Sequence, residues 1–528
     1  MKKKKLITGL LTLAVFAMTA CGSSDNTSGS AASGSAQTDS GAAGEKTFVY
    51  GTTGYGEAMG TAGLNPHSDY SGWSTVRYGV GETLFKFNDS MEAEPWLAEG
   101  YEFIDDNTVQ IKLRDDVNFS NGRKLDAEAV KECLEDLIEV HDRAPYDMMI
   151  DEITADGQTV TINTAEPCPA LINYLSDPYA AIIDMQAGIS GEGGSASVIG
   201  TGPYIAESVS PTEISLVKNE NYWDGDVKTD RVIVRTFDDA ASLTAALQTG
   251  DIQGTYGLQY DNYALFSDES SYTINSVPTS RCFLGQFNFD SELMRDDAVR
   301  QAVEMGIDKD GFCNVITEGR CVPAASAFPD SFSFGNSAVN AKSYDPEAAR
   351  TLLENDGWTD TDGDGIREKN GEKLSISWLT YPGRLELPKL AEYAQSTLKD
   401  IGIDVSVNNT ADSGSYAKSG DFDVYVSSVT SAPTGDPEYF FKSYVTGSKN
   451  FGDYDNADVA DMINTLHMTF DKEERGELAV KIQQQMLDDD AYFFVAHLNM
   501  GIITKKNVTG IAAHPCDYYE ITADLSVE

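Results

Sequence analysis

The sequence predicts a mixed α/β protein of two or three domains, and three observations lead there. Short period-two apolar runs alternate with amphipathic helical runs from residue 47 to the C-terminus. Apolar residues make up 41% of the chain and aromatics 10%, enough to build packed cores. At 528 residues the chain is also too long for one ordinary core.

Taken in order, TFVYGT from Thr47 is an opening strand, and VGETLFKF leads into a short one. YEFIDDNTVQIKL alternates around Val109, Ile111 and Leu113, with Asp105-Asp106-Asn107 as its turn. Asp126 can cap a helix whose apolar face is Val130, Cys133, Leu134, Leu137 and Ile138. A hairpin surrounds Asp156-Gly157.

Residues 200–225, GTGPYIAESVSPTEISLVKNENYWDG, read as a glycine–proline turn, two strands and an aromatic-rich turn. Strand DRVIVRTF and helix ASLTAALQTGDI follow, the helix stopped by Gly250. A new block starts around Arg281 with strand CFLGQFNF and helix DAVRQAVEMGI. Asp345-Pro346 opens the next helix, with Leu352 and Leu353 packing inward and Gly357 ending it. LSISWL, a helix over 387–401 and a strand over 403–407 form a βαβ-like succession. GDFDVYVSSV adds a strand, 473–487 a long helix, and FFVAHLNMGIITKK a closing strand pair.

The formal charge of −46 repels nucleic acid and anionic lipid headgroups, so nucleic-acid binding is set aside. Residues 1–20 read as a signal peptide: Lys2–Lys5 are basic, residues 6–17 apolar but too short to span a membrane well, and Met18-Thr19-Ala20-Cys21 looks like a lipoprotein cleavage box. Cys21 is the expected lipidation site. Residues 21–46, rich in Ser, Gly, Ala and Thr, read as a flexible tether. The expected location is the outer face of the cell membrane, through a lipid anchor. Of the remaining cysteines, Cys313 and Cys321 are close enough for one small disulfide loop; the six could equally be buried thiols.

No zinc-protease, phosphate-loop or nucleophile-elbow pattern occurs, and the five histidines lie far apart, so no enzyme and no cofactor is expected. Asp360, Asp362 and Asp364 alternate before Gly365 as in a calcium loop, but the twelfth position is Gly371 instead of glutamate. A solvated turn and a weak calcium site are the two readings.

Several blocks in fixed order resemble the family 5 solute-binding proteins of ABC importers, which take up peptides, nickel complexes and related solutes. They are PWLAEGYEFIDDNTVQIKLRDDVNFSNGRKLDAEAVK, GTGPY with NENYWDG, FNFD with DDAVRQAVEMGIDKDGF, YDPEAARTLLENDGW and GDFDVYV. The likeness runs from about Leu64 to the C-terminus. It implies a two-lobed periplasmic-binding-protein-like α/β fold (type II, the large peptide- and nickel-binder class) with a small inserted domain. Mapped here, one lobe is residues 47–87, 200–277 and 498–528, the inserted domain 88–199 and the second lobe 278–497. Residues 221–223 then pack a domain junction and do not touch ligand.

The resemblance further implies a monomer that closes on one small solute and delivers it to an ABC permease and ATPase complex. Where dipeptide binders carry an amine-pairing aspartate, this chain has Pro433. LRDDVNFSNG, LNPH, NENYW and IREKNGE lean toward the nickel-binding branch, whose chelator-binding arginine falls on Arg143 by spacing from Asp126. Where that branch has a second arginine the chain reads Ser176-Asp177-Pro178; its aromatic partner falls on Ser431, and its histidine has no counterpart near Phe451.

A metal–chelate and a short peptide are thus expected about equally. The alternatives are an oligosaccharide stacked on Trp73, Trp96, Trp223, Trp358 or Trp378, or an extracellular hydrolase. The expected cleft residues are Tyr70, Arg143, Tyr146, Arg281, Tyr381, Arg384, Thr430 and Asp436.

Overall fold

A computed structural model describes residues 45–53, 63–68 and 70–528. The signal peptide, Cys21 and nearly all of the tether lie outside the described residues.

One sheet organises the molecule. Its main path, in spatial order, is Asp404–Asn409, Ser375–Thr380, Val424–Thr430, Tyr272–Phe287, Tyr492–Lys505, Gly254–Tyr256, Thr47–Thr52, Arg231–Thr236, Glu213–Lys218 and Tyr204–Val209. Each half holds a parallel triplet. Thr47–Thr52 lies between Arg231–Thr236 and Gly254–Tyr256, and Ser375–Thr380 lies between Asp404–Asn409 and Val424–Thr430. Parallel neighbours need crossover connections. Helix Glu386–Lys399 supplies the one between Ser375–Thr380 and Asp404–Asn409, and helix Ala240–Thr249 connects the two strands that flank Thr47–Thr52.

The two halves are joined by the antiparallel pair Tyr272–Phe287 and Tyr492–Lys505. The sequence predicts a strand over 282–289 and a closing strand pair; the molecule instead has one 16-residue and one 14-residue strand. The polar first half of Tyr272–Phe287 gave no alternating pattern, because here backbone pairing with Tyr492–Lys505 holds it in the sheet. The ladder slips between Pro278 and Cys282, where proline contributes no N–H.

A separate four-stranded antiparallel sheet, Ala98–Asp105, Thr108–Leu113, Thr159–Thr164 and Ile150–Asp156, packs on helix Ala127–Val140. Asp126 caps that helix by accepting from Ala129 N–H at 2.9 Å, as its sequence predicts. Asp345 does the same for helix Pro346–Asn355, accepting from Ala348 N–H. The apolar residues of this sheet form one continuous core with Phe48, Tyr50, Val232 and Val234 of the main sheet. Helix Ala457–Met468 has no counterpart in the sequence reading.

All six described cysteines are buried thiols, and Cys313 and Cys321 are not joined in a disulfide. Among the described residues no helix is long and apolar enough to cross a membrane.

The stretch 200–225 is a hairpin whose terminal turn is tied inward. Tyr222 Oη, Trp223 Nε1 and Thr201 Oγ1 all donate to the buried carboxylate of Glu82, at 2.7, 2.8 and 2.7 Å. Burial raises the Glu82 pKa while these donors oppose the rise. The Tyr222 and Trp223 polar groups are therefore spent on packing.

Candidate functional site

The main sheet carries Arg281 and Thr430 into register on neighbouring antiparallel strands. One strand further, the turn after Ser375–Thr380 brings Tyr381 against the same segment: its Oη accepts from Ser428 N–H at 3.1 Å. Arg384 follows in that turn. Burial and the nearby Arg281 charge lower its guanidinium's pKa, while Glu386, Tyr381 and Tyr256 act the other way. Arg281 also acts electrostatically on Tyr444. The two arginines are thus near enough for their charges to oppose each other, and no described carboxylate lies within ion-pair distance of either guanidinium. Both residues are part-buried, and like charges held near each other are unfavourable unless an anion joins them.

Arg384 also borders a cavity of about 150 Å³ with Tyr260, Tyr263, Arg320 and Asn499. Arg320 stacks on the Tyr263 ring at 4.2 Å, and its buried Nε has no acceptor among the described residues. Sequence reasoning missed Tyr256, Tyr260 and Arg320. Their segments carry no motif, and only the packing of 254–263 and 320 against the 383–386 turn brings them together.

Arg143 is placed differently. Its Nη2 donates to Asp177 Oδ2 at 2.9 Å, Nε lies 3.6 Å from Asp147, and the guanidinium covers the Tyr179 ring at 5.0 Å. Burial works against its charge, but Asp177, Tyr179 and Asp147 hold the pKa above its ordinary value. The residue that stands where a second arginine is expected is thus the partner of the first. The Arg143 side chain keeps 38% exposure.

Tyr70 is half exposed and packs on Trp73, which in turn meets Tyr518. Tyr518 Oη donates to Pro433 O at 2.8 Å, and Asn173 Nδ2 to Thr434 O at 2.8 Å. These bonds tie the loop containing Pro433 to residues from the other half of the molecule. Tyr146 is 82% exposed and borders a second cavity of about 200 Å³ with Cys168, Tyr174, Glu438 and His467.

Asp436 does not present a free carboxylate. It is buried and bound by Arg475 through both oxygens, at 2.7 Å from Nη2, with Glu438 3.3 Å from the same nitrogen. Ser431 is fully buried and donates to Ser280 O. Of the tryptophans, Trp378 and Trp358 are core residues, and Trp223 is bound to Glu82.

Residues 92–452 match the bacterial extracellular solute-binding proteins, family 5. The nickel-binding protein NikA of Staphylococcus aureus is 30% identical over 457 residues, covering 86% of this chain and 90% of that protein. The oligopeptide-binding protein AppA of Bacillus subtilis is 25% identical over 466 residues, covering 83% and 84%. The crystal structure of a nickel ABC transporter from Bacillus halodurans superposes with a TM-score of 0.81 at 29% identity, over 92% of this chain and all of that one. That of the Staphylococcus aureus NikA in complex with Ni(L-His)2 gives 0.70 at 28% identity, with the same coverage. A fold, a matched segment and relatives spanning almost the whole length agree: the chain belongs to the family 5 extracellular solute-binding proteins of ABC importers.

Proposed function

We propose that this protein binds one small carboxylate-bearing solute between its two lobes and hands it to an ABC permease and ATPase complex. The observation that carries this reading is the pair Arg281 and Arg384, two neighbouring positive charges without a carboxylate partner within ion-pair distance among the described residues. A guanidinium offers planar, paired donors suited to a carboxylate. In a chain of net charge −46 this local positive site selects the anionic end of a ligand, because distant acids are screened beyond about 8 Å.

Both expected ligand classes bear carboxylates. A nickel complex of an amino acid fits the relation to the nickel-binding relatives, and a short peptide fits the relation to AppA. Arg143 and the exposed Tyr70 and Tyr146 complete the proposed lining; Tyr381 and Thr430 flank the arginines. The buried Asp436 supports the loop that faces this space. Ligand binding would stabilise the closed form by its greater affinity for closed than for open lobes, non-catalytically. The hinge is the strand pair crossing at 278–282, which supports the division into 47–87 with 200–277 and 498–528, 88–199, and 278–497. A monomer anchored through lipidated Cys21, after removal of residues 1–20 and on the tether 21–46, completes the proposal.

The test is a thermal-shift and calorimetric screen of the purified protein in EDTA-free buffer, with nickel plus histidine in one arm and di- to pentapeptides in the other. Stabilisation by mass action in one arm identifies the class. A protein that responds to sugars alone, or turns a substrate over, overturns the reading.

A further inference from the structure

We propose that the loop 360–368 is a binding site for one calcium-class divalent cation, separate from the solute cleft. It connects helix Pro346–Asn355 to strand Ser375–Thr380. Asp360, Asp362, Asp364 and Glu368 each offer one carboxylate oxygen, and these four atoms all lie within 4.8 Å of one another. Calcium–oxygen bonds of about 2.3–2.6 Å put opposite ligands roughly 4.6–5.2 Å apart, so the four oxygens fit around one such ion. Magnesium, at about 2.0–2.1 Å with strict octahedral geometry, demands a tighter set. The donors are all oxygen, the ligand type of hard cations, and no imidazole or thiolate joins them.

The loop's own bonds hold the carboxylates in place. Asp360 accepts from the N–H groups of Gly363 at 2.7 Å and Gly365 at 3.0 Å, Asp362 from Asp364 at 3.1 Å, and Asp364 from Ile366 at 2.9 Å. Both glycines take positive φ, +82° and +91°, which folds the loop back on itself.

The decisive residue is Glu368. It is only 7% exposed, and its Oε2 accepts from Thr361 N–H and Oγ1–H, each at 2.8 Å. Its Oε1 is buried with no hydrogen-bond partner. A buried carboxylate oxygen left without a donor is costly, and a cation in the acidic cluster satisfies it. Glu368 thus supplies the fourth carboxylate that the sequence lacks at Gly371. Lys373 competes for the same groups: its ammonium is ion-paired with Asp364 and lies 3.6 Å from Asp362.

Calorimetric titration of the EDTA-stripped, dialysed protein with calcium chloride at constant ionic strength tests this. One calcium per chain is expected, half-saturating at about 10⁻⁴–10⁻³ M as in extracellular calcium modules, with magnesium at least ~10-fold weaker. Asp362→Asn should weaken calcium binding by about 10-fold or more, and Lys373→Met should strengthen it several-fold, with unchanged far-ultraviolet circular dichroism. Asp364→Asn replaces the first variant should that fail to fold. No saturable calcium binding, equal response to magnesium, or undiminished binding in the aspartate variant overturns the site. Solute binding by the Asp362→Asn variant, measured in the EDTA-free screen, is independent of this result, so each reading can fail alone.

Discussion

Asp177 accepts a hydrogen bond from Arg143 Nη2 at 2.9 Å, joining two side chains 34 positions apart in sequence. The Arg143 charge is thereby partly answered within the protein, whereas Arg281 and Arg384 have no carboxylate within ion-pair distance among the described residues. Solute affinity should therefore depend more on the second pair than on Arg143.

Arg384→Gln should weaken binding of a carboxylate-bearing solute by about 10- to 100-fold, the worth of roughly 1.5–3 kcal/mol for a hydrogen bond to a charged group. Arg281→Gln should act in the same direction. Isothermal titration with the solute found by screening reads both, and unchanged affinity in both variants would remove the pair from the site.

Asp177→Asn should tighten the same solute by a few-fold, because Arg143 then meets the anion without an internal competitor. Arg143→Ala should weaken it. Weaker binding in Asp177→Asn would mean instead that the carboxylate is needed to aim the guanidinium.

Glu82→Ala should cost about 3 kcal/mol of unfolding free energy, since three donors lose their buried acceptor at about 1–3 kcal/mol each and partly relax. Urea unfolding at neutral pH measures it. Solute affinity should stay unchanged, as Tyr222 and Trp223 face Glu82 and not the cleft.

Acid should loosen the loop that bears Asp436. Burial opposes ionisation of Glu438, but His467, Lys442 and Arg475 outweigh it and hold its pKa down at about 2 against an ordinary 4.5. A carboxyl whose folded pKa is depressed contributes stability that is fully present above its unfolded pKa. That contribution is lost as pH falls from about 4.5 to about 2 and amounts to on the order of 3 kcal/mol. Glu438→Gln should flatten this part of the stability profile, followed by urea unfolding between pH 5 and pH 2. A profile as steep as the parent's would show that other groups carry the acid sensitivity.

Features that depend on near neighbours were legible in the sequence. Asp126 and Asp345 cap helices through N–H groups three residues away, and Gly250 ends a helix through its own positive φ. The alternating runs at 108–113 and 159–164 became strands because burial on one face alone sets their pattern. The ordered blocks identified the family on the same basis, and the alternating aspartates at 360–364 were visible as a loop.

Tertiary structure decided the rest. The strand Tyr272–Phe287 outruns its apolar pattern, since backbone bonds to Tyr492–Lys505 extend it regardless of side-chain alternation. Asp436 looked like a cleft acid until Arg475, far along the chain, took both its oxygens. Glu368, unremarkable in the sequence, became the fourth carboxylate because the loop folds back over it. Charge partnership is set by distance in space, and no local pattern encodes the partners that the fold brings within about 4 Å.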